Sequence, residues 1–229
     1  VAVFPLVGLF TPGGLAHRHR SRYIISTTFR WFVNMMRALG ILTYEISGQE
    51  RLGKPGQLII ANHPSLIDVV FLIAFIRDAN CVVKGSLKRN PFTRGPVIAA
   101  QYVDNDSTAD MIDSSCNVLN EGQTLIVFPE GTRTAPQGTL DFHRGAANIA
   151  LRAAATLTPV VIRVEPTTLT KAEPWYRIPA RRFHFSMHVA DDIPLQPFRS
   201  QGEIPQASRK LNAFLLSFFN RELGRHERT

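Results

Sequence analysis

The chain predicts an α/β protein, with a mostly parallel central sheet flanked by helices and an amphipathic helical segment at the N-terminal end. Short apolar runs such as Leu58–Ala61 and Thr124–Phe128 read as strands covered on both faces, the pattern of parallel sheets. Helical stretches alternate with those runs from Thr43 onward, as crossover connections require. Before Glu45 the chain carries Arg18, Arg20, Arg22, Arg30 and Arg37 and no acidic residue, which separates residues 1–42 from an α/β domain over 43–229.

Val1–Phe10 is nearly all apolar and the chain opens without methionine, which leaves room for an upstream piece, a membrane span included. A breaker cluster, Thr11-Pro12-Gly13-Gly14, precedes a basic patch, His17-Arg18-His19-Arg20-Ser21-Arg22. Tyr23–Leu42 reads as a helix in which Arg30 and Arg37, seven apart, share a face among many apolar and aromatic residues. Such a helix suits the plane of an anionic bilayer, guanidiniums at the head groups and aromatics below. It equally suits an amphipathic helix packed on the domain. Its charges interrupt it too often for a span.

Strands are expected near Thr43–Ser47, Leu58–Ala61, Asn80–Lys84, Val103, Thr124–Phe128, Pro159–Val164 and Phe183–Val189. Helices are expected over Pro64–Arg77, Asn90–Ala100, Ala109–Asn120, Gly145–Ala155 and Pro205–Arg221. Pro166–Arg182, with Pro174, Trp175 and Pro179, is irregular and reads as a loop near the membrane or over the pocket.

The 229 residues carry a formal charge of +8, which calls for an anionic partner: nucleic acid, a lipid head group or a phosphorylated substrate. Nucleic acid ranks low, because the arginines sit among aliphatic residues and no stacking or recognition-helix motif accompanies them. Cys81 and Cys116 lie in apolar settings and read as reduced core residues of a cytoplasmic protein. No Cys-x-x-Cys, His-Glu-x-x-His, Gly-x-Ser-x-Gly or phosphate-loop pattern occurs. Those absences set aside zinc hydrolases, elbow-type serine esterases and nucleotide triphosphatases, and no metal ligand set is expected.

Two polar clusters interrupt the buried strands. In Ile59-Ile60-Ala61-Asn62-His63-Pro64-Ser65-Leu66-Ile67-Asp68 an apolar run stops at an imidazole, and a carboxylate follows five positions later. With Pro64 as the first helical residue, His63 falls in the turn and Asp68 reaches back to it. Asp68 then accepts the Nδ1 proton and leaves Nε2 as a general base. Ser65 and Asp68 also fit a loose capping box, which would make the pair structural. The second cluster, Phe128-Pro129-Glu130-Gly131-Thr132-Arg133, ends another strand. Gly131 admits close backbone approach and Arg133 offers a planar fork for phosphate, although a turn with a surface ion pair has the same sequence. In parallel sheets ligands bind beyond the carboxyl ends of strands, where one crevice would hold both clusters. His143-Arg144, before a small-residue helix, reads as a solvated loop or an anion-attracting helix start.

Together, Asn62–Asp68 resembles the His-x-x-x-x-Asp motif of the lysophospholipid acyltransferase family, and Phe128–Arg133 matches its second hallmark. Val83–Pro91 resembles the family's Lys-rich block and Thr158-Pro159-Val160-Val161 its last strand-borne motif. The resemblance implies a glycerol-phosphate acyltransferase-like fold in which residues 43–229 form the acyltransferase domain. It also implies direct O-acyl transfer from acyl-CoA or acyl carrier protein to the hydroxyl of a lysophospholipid such as 1-acyl-glycerol-3-phosphate, without an acyl-enzyme or cofactor. By the same resemblance His63 and Asp68 are catalytic, Lys84 and Arg133 grip the acceptor phosphate, and Glu130, Gly131 and Thr132 shape its site. The expected location is the cytoplasmic face of the cell membrane, peripheral or with an N-terminal anchor. The middle block departs from the family: Lys84-Gly85-Ser86-Leu87 and Asp104-Asn105 stand where Lys-x-Glu-Leu and Asp-Arg are usual. A lyso-aminolipid or glycolipid acceptor, or a non-catalytic anionic-lipid binder, remains an alternative.

Overall fold

The computed structural model describes residues 14–134, 139–171, 173, 179–200 and 202–224. The apolar run Val1–Phe10, most of the breaker cluster, and Pro174 and Trp175 lie outside the described residues. One sheet runs β1 (Leu42–Ser47), β7 (Phe183–Val189), β6 (Thr156–Glu165), β2 (Gln57–Ala61), β5 (Leu125–Val127), β3 (Asn80–Val83), β4 (Val103–Asp104). Every neighbouring pair is parallel except β6 with β7. β1 and β7 therefore run opposite to the rest, and both begin on the rim where β2, β5 and β3 end.

Strand chemistry follows position. β2, buried at every residue, is covered on both faces; β7 alternates buried and exposed, as a strand with one wetted face must. One face carries a core of Ile25, Met36, Phe71, Cys81 and Phe185 beneath α1 (Leu15–Ala38) and α2 (Asp68–Phe75). Phe71 stacks on Phe185 with centroids 3.7 Å apart. On the other face α5 (Thr108–Asn120), α6 (Gly145–Ala153) and α8 (Ile204–Glu222) bury Leu119, Ile149, Leu211 and Phe219. Cys81 and Cys116 are both buried free thiols. Short helices α3 (Ser86–Arg89), α4 (Arg94–Ala99) and α7 (Gln196–Arg199) and a 3-10 turn at Gln49–Arg51 complete the described set.

Two helices depart most from the sequence expectation. The helix expected over Tyr23–Leu42 starts at Leu15 and absorbs the basic patch, because the patch is partly internal. Arg22 is 1% exposed and donates to Ala100 O at 2.8 Å, Gln123 Oε1 at 2.8 Å and Asp78 O at 3.3 Å. Those acceptors let a charged group be buried. The helix stops at Gly40, φ 73, where Ile41 N–H reaches Met36 O and Gly40 N–H reaches Arg37 O, both at 3.0 Å, a Schellman closure.

The two arginines expected at head groups are exposed but also contact the domain. Arg30 donates through Nε and Nη2 to Ala74 O, a carbonyl in the last turn of α2 that lacks a helical partner, and lies over the Phe75 ring. Arg37 lies over Tyr44. Finally, the helix expected from Pro64 begins at Asp68. The Ser65 and Leu66 backbone donors go to the Asp68 carboxylate and to Leu169 O instead, so residues 64–67 form a turn.

Candidate active site

β2 and β5 are adjacent and parallel, with Ile60 paired to Val127, so His63 and Phe128–Arg133 leave the sheet side by side. The 128–134 loop grips the His63 backbone from both ends. Glu130 Oε1 accepts the His63 N–H at 2.8 Å, and Thr134 N–H donates to His63 O at 2.8 Å. Glu130 Oε2 accepts the Thr134 hydroxyl at 2.5 Å. On the other side, the Asn62 amide accepts from Ile162 N and donates to Ile162 O, each at 2.8 Å, which carries the β2–β6 pairing one residue further.

His63 Nδ1 lies 2.9 Å from Asp68 Oδ2, and the same oxygen accepts Ser65 N–H at 2.8 Å. The catalytic and capping readings of this pair thus share one oxygen, and the Ser65 hydroxyl is not the cap: it donates to Thr168 O at 2.8 Å. An ionised carboxylate only accepts, so Nδ1 is the donor and Nε2 carries the lone pair. The His63 side chain is 14% exposed while Asp68 is fully buried. Burial pushes the Asp68 carboxyl up to about 6, against the pull of its His63 and Ser65 hydrogen bonds. Phe128 stacks on the imidazole, centroids 4.2 Å apart, and fixes its plane.

Arg133 stands on the same rim, held by a strap from the loop after β6. Its Nη1 donates to Leu169 O and Thr170 O, both at 2.9 Å. Leu169 sits at φ 54, a left-handed conformation rare for a branched side chain. Gly131 takes φ 64, and a Cβ there would lie 3.2 Å from the His143 ring. The Gly131 N–H donates to Phe128 O at 3.1 Å. Thr132 is exposed beside it.

Lys84 follows β3, the strand next to β5, and is exposed; the contacts of the rim described above do not include it. The middle block is clasped by the turn after β4. Lys88 pairs with Asp104, Arg89 with Asp106 at 3.2 Å, and Gly85 N–H reaches Asn105 Oδ1 at 3.3 Å. The Asp106 carboxylate occupies the space a side chain at Gly85 would need; the departure itself, Ser86 where the family has Glu, has no structural explanation. Among the described residues no group of His, Cys, Asp and Glu could hold a metal ion. Sequence reasoning placed a loop over the pocket or near the membrane at Pro166–Arg182, which contains the strap, but assigned none of the strap's contacts and missed the role of Phe128, whose place in the second cluster was its local signal.

An imidazole at one strand end, hydrogen-bonded to a buried carboxylate, with a guanidinium on the next strand's exit loop, defines an α/β protein with a histidine–aspartate pair on the carboxyl rim. The acyltransferase family profile matches residues 43–163, and the chain belongs to that family. It is 30% identical over 174 residues to the 1-acyl-sn-glycerol-3-phosphate acyltransferase of Saccharomyces cerevisiae, covering 72% of this chain and 55% of that protein. It is 30% identical over 171 residues to the human 1-acyl-sn-glycerol-3-phosphate acyltransferase beta, covering 70% and 58%. The chain thus spans little more than half the length of these relatives. The crystal structure of the 1-acyl-sn-glycerophosphate (LPA) acyltransferase PlsC from Thermotoga maritima superposes with a TM-score of 0.65 at 18% identity, covering 94% of this chain and 87% of that one, which establishes the shared fold.

Proposed function

We propose that the protein transfers a fatty acyl group from a thioester, acyl-CoA or acyl carrier protein, to the free hydroxyl of a lysophospholipid, 1-acyl-glycerol-3-phosphate being the first candidate. The observation that carries this reading is the 2.9 Å contact between His63 Nδ1 and Asp68 Oδ2, which leaves Nε2 basic at a partly exposed rim. Nε2 takes the proton of the acceptor hydroxyl as its oxygen attacks the thioester carbonyl. The C–S bond breaks, the C–O bond forms, and the imidazolium returns its proton to the departing thiolate. A thioester is already activated, so the reaction needs neither a serine nucleophile nor an acyl-enzyme. Arg133, oriented by the strap, and Lys84 from the adjacent strand end hold the acceptor phosphate. Gly131 and Thr132 border the acceptor's path.

The acceptor reaches the site from a membrane surface. α1 buries one side and leaves Trp31, Phe32 and Leu39 exposed, and its C-terminal end leads into β1 at the rim that carries His63. Among the described residues no helix is long and apolar enough to cross a membrane, so α1 acts in the plane of an anionic surface. The relatives' names support lysophosphatidate as the acceptor. Release of free thiol from an acyl thioester, dependent on added lysophospholipid and abolished by His63→Ala in a folded protein, is the decisive assay. A His63→Ala variant with near-native transfer would falsify the mechanism.

A further inference from the structure

Glu130 belongs to the cluster expected to contact the acceptor, yet its carboxylate is turned inward. It is 7% exposed, with one oxygen on the His63 N–H and the other on the Thr134 hydroxyl. Thr134 closes the ring by donating its own N–H to His63 O. Both main-chain polar groups of His63 are thereby fixed by the 130–134 segment, independently of Asp68, which fixes the ring.

We propose that Glu130 is a positioning residue for the base: it sets the main chain of His63 and places a negative charge beside the His63–Asp68 pair. This rests on the general-base reading above and gives Glu130 a role apart from the acceptor. The titratable groups acting on Asp68 are His63, from the end of β2, and Glu130, from the loop after β5; burial raises the Asp68 carboxyl most, and Glu130 adds to it in the same direction. The strap on that side presents the neutral Thr168 to Ser65 and binds the Arg133 guanidinium through Leu169 and Thr170. A buried carboxylate beside the pair favours its protonated form, so removing that charge releases the pair's proton at lower pH.

Glu130→Gln and Glu130→Ala in the full chain separate geometry from charge. Gln keeps an acceptor for the His63 N–H and loses the charge, while its amide N–H donates to the Thr134 hydroxyl, which rotates from donor to acceptor. Its kcat falls less than that of Glu130→Ala, and the acid limb of its pH–rate profile moves to lower pH. Ala loses the brace, and kcat falls about 10²-fold, the scale of a small misplacement of a catalytic group. In both variants the acceptor KM stays at the wild-type value. A rise in acceptor KM with kcat retained, or an acid limb unmoved in Glu130→Gln, overturns the proposal; should Glu130→Ala fail to fold, the Gln variant decides alone. NMR titration of the His63 ring needs no substrate. A displaced titration in Glu130→Gln supports the positioning role even if wild-type protein transfers no acyl group to any lysophospholipid, a result that would defeat the functional reading instead.

Discussion

Arg133 Nη1 lies 2.9 Å from the carbonyl oxygen of Leu169, and that same oxygen accepts the Leu66 N–H at 3.0 Å. One backbone atom thus ties the turn after His63 to the loop after β5. Thr170 O takes the second Nη1 proton at 2.9 Å. A guanidinium has five N–H donors, so with Nη1 committed to the strap, the Nε and Nη2 edge is the part of Arg133 that the proposed phosphate contact would use.

Replacing Arg133 with Ala is therefore expected to raise the KM for a phosphorylated acceptor by about 10- to 100-fold, the worth of a charge-assisted contact, while kcat changes less. Steady-state kinetics at saturating thioester measure this. An unchanged acceptor KM would leave Arg133 as a structural tie only.

Asp68→Asn is expected to lower activity and raise stability together. In the folded protein burial lifts the Asp68 carboxyl from 3.8 to about 6. Between those values the native state binds more protons than the unfolded chain, so stability falls as pH rises through that window. Above it the buried charge is a standing penalty that Asn removes. The variant should melt higher than wild type at pH 7, by on the order of 1 kcal/mol after allowing for weakened hydrogen bonds. That gap should close as pH falls from 6 toward 4. Loss of the imidazole's charged partner should reduce kcat by about 10² or more. Calorimetry across pH and the thiol-release assay test the two halves separately.

Arg22→Met should destabilise the protein by about 3 kcal/mol, because Ala100 O, Asp78 O and Gln123 Oε1 lose a charged donor in a buried setting. Hydrogen exchange should then show the first turns of α1 opening before the sheet. Uniform protection across α1 would count against this anchoring role.

Charged substitutions on the outer side of α1, Trp31→Glu with Leu39→Glu, should weaken binding to anionic vesicles while leaving the melting temperature near wild type, since both side chains are about two-thirds exposed. Co-sedimentation at low and moderate salt reads this out. Wild-type affinity in the double variant would move the membrane contact elsewhere.

The sheet was legible because its strands are apolar runs with polar ends: β7 falls where the alternation of Phe183–Val189 places it. β6 runs from Thr156, earlier than expected, because Pro159 reads as a strand start although it lies mid-strand opposite Ile60. The start of α1 was hidden because Arg18 and Arg22 read as solvated charges, and only tertiary acceptors make them internal. Within the site, His63 and Asp68 are five positions apart and their contact could be read locally. The inward turn of Glu130 could not, since its partner is 67 residues away. The strap lies in the irregular Pro166–Arg182 segment read as a loop, but its contacts, about 100 residues from the turn it binds, left no local trace.

The face of Phe128 against the imidazole of His63 has a magnetic consequence. A proton above an aromatic ring is shielded by its circulating electrons, so the carbon-bound protons of His63 should resonate upfield of those in the surface histidines His184 and His188. That displaced signal would report, in the resting protein, any ligand that slides the two rings apart.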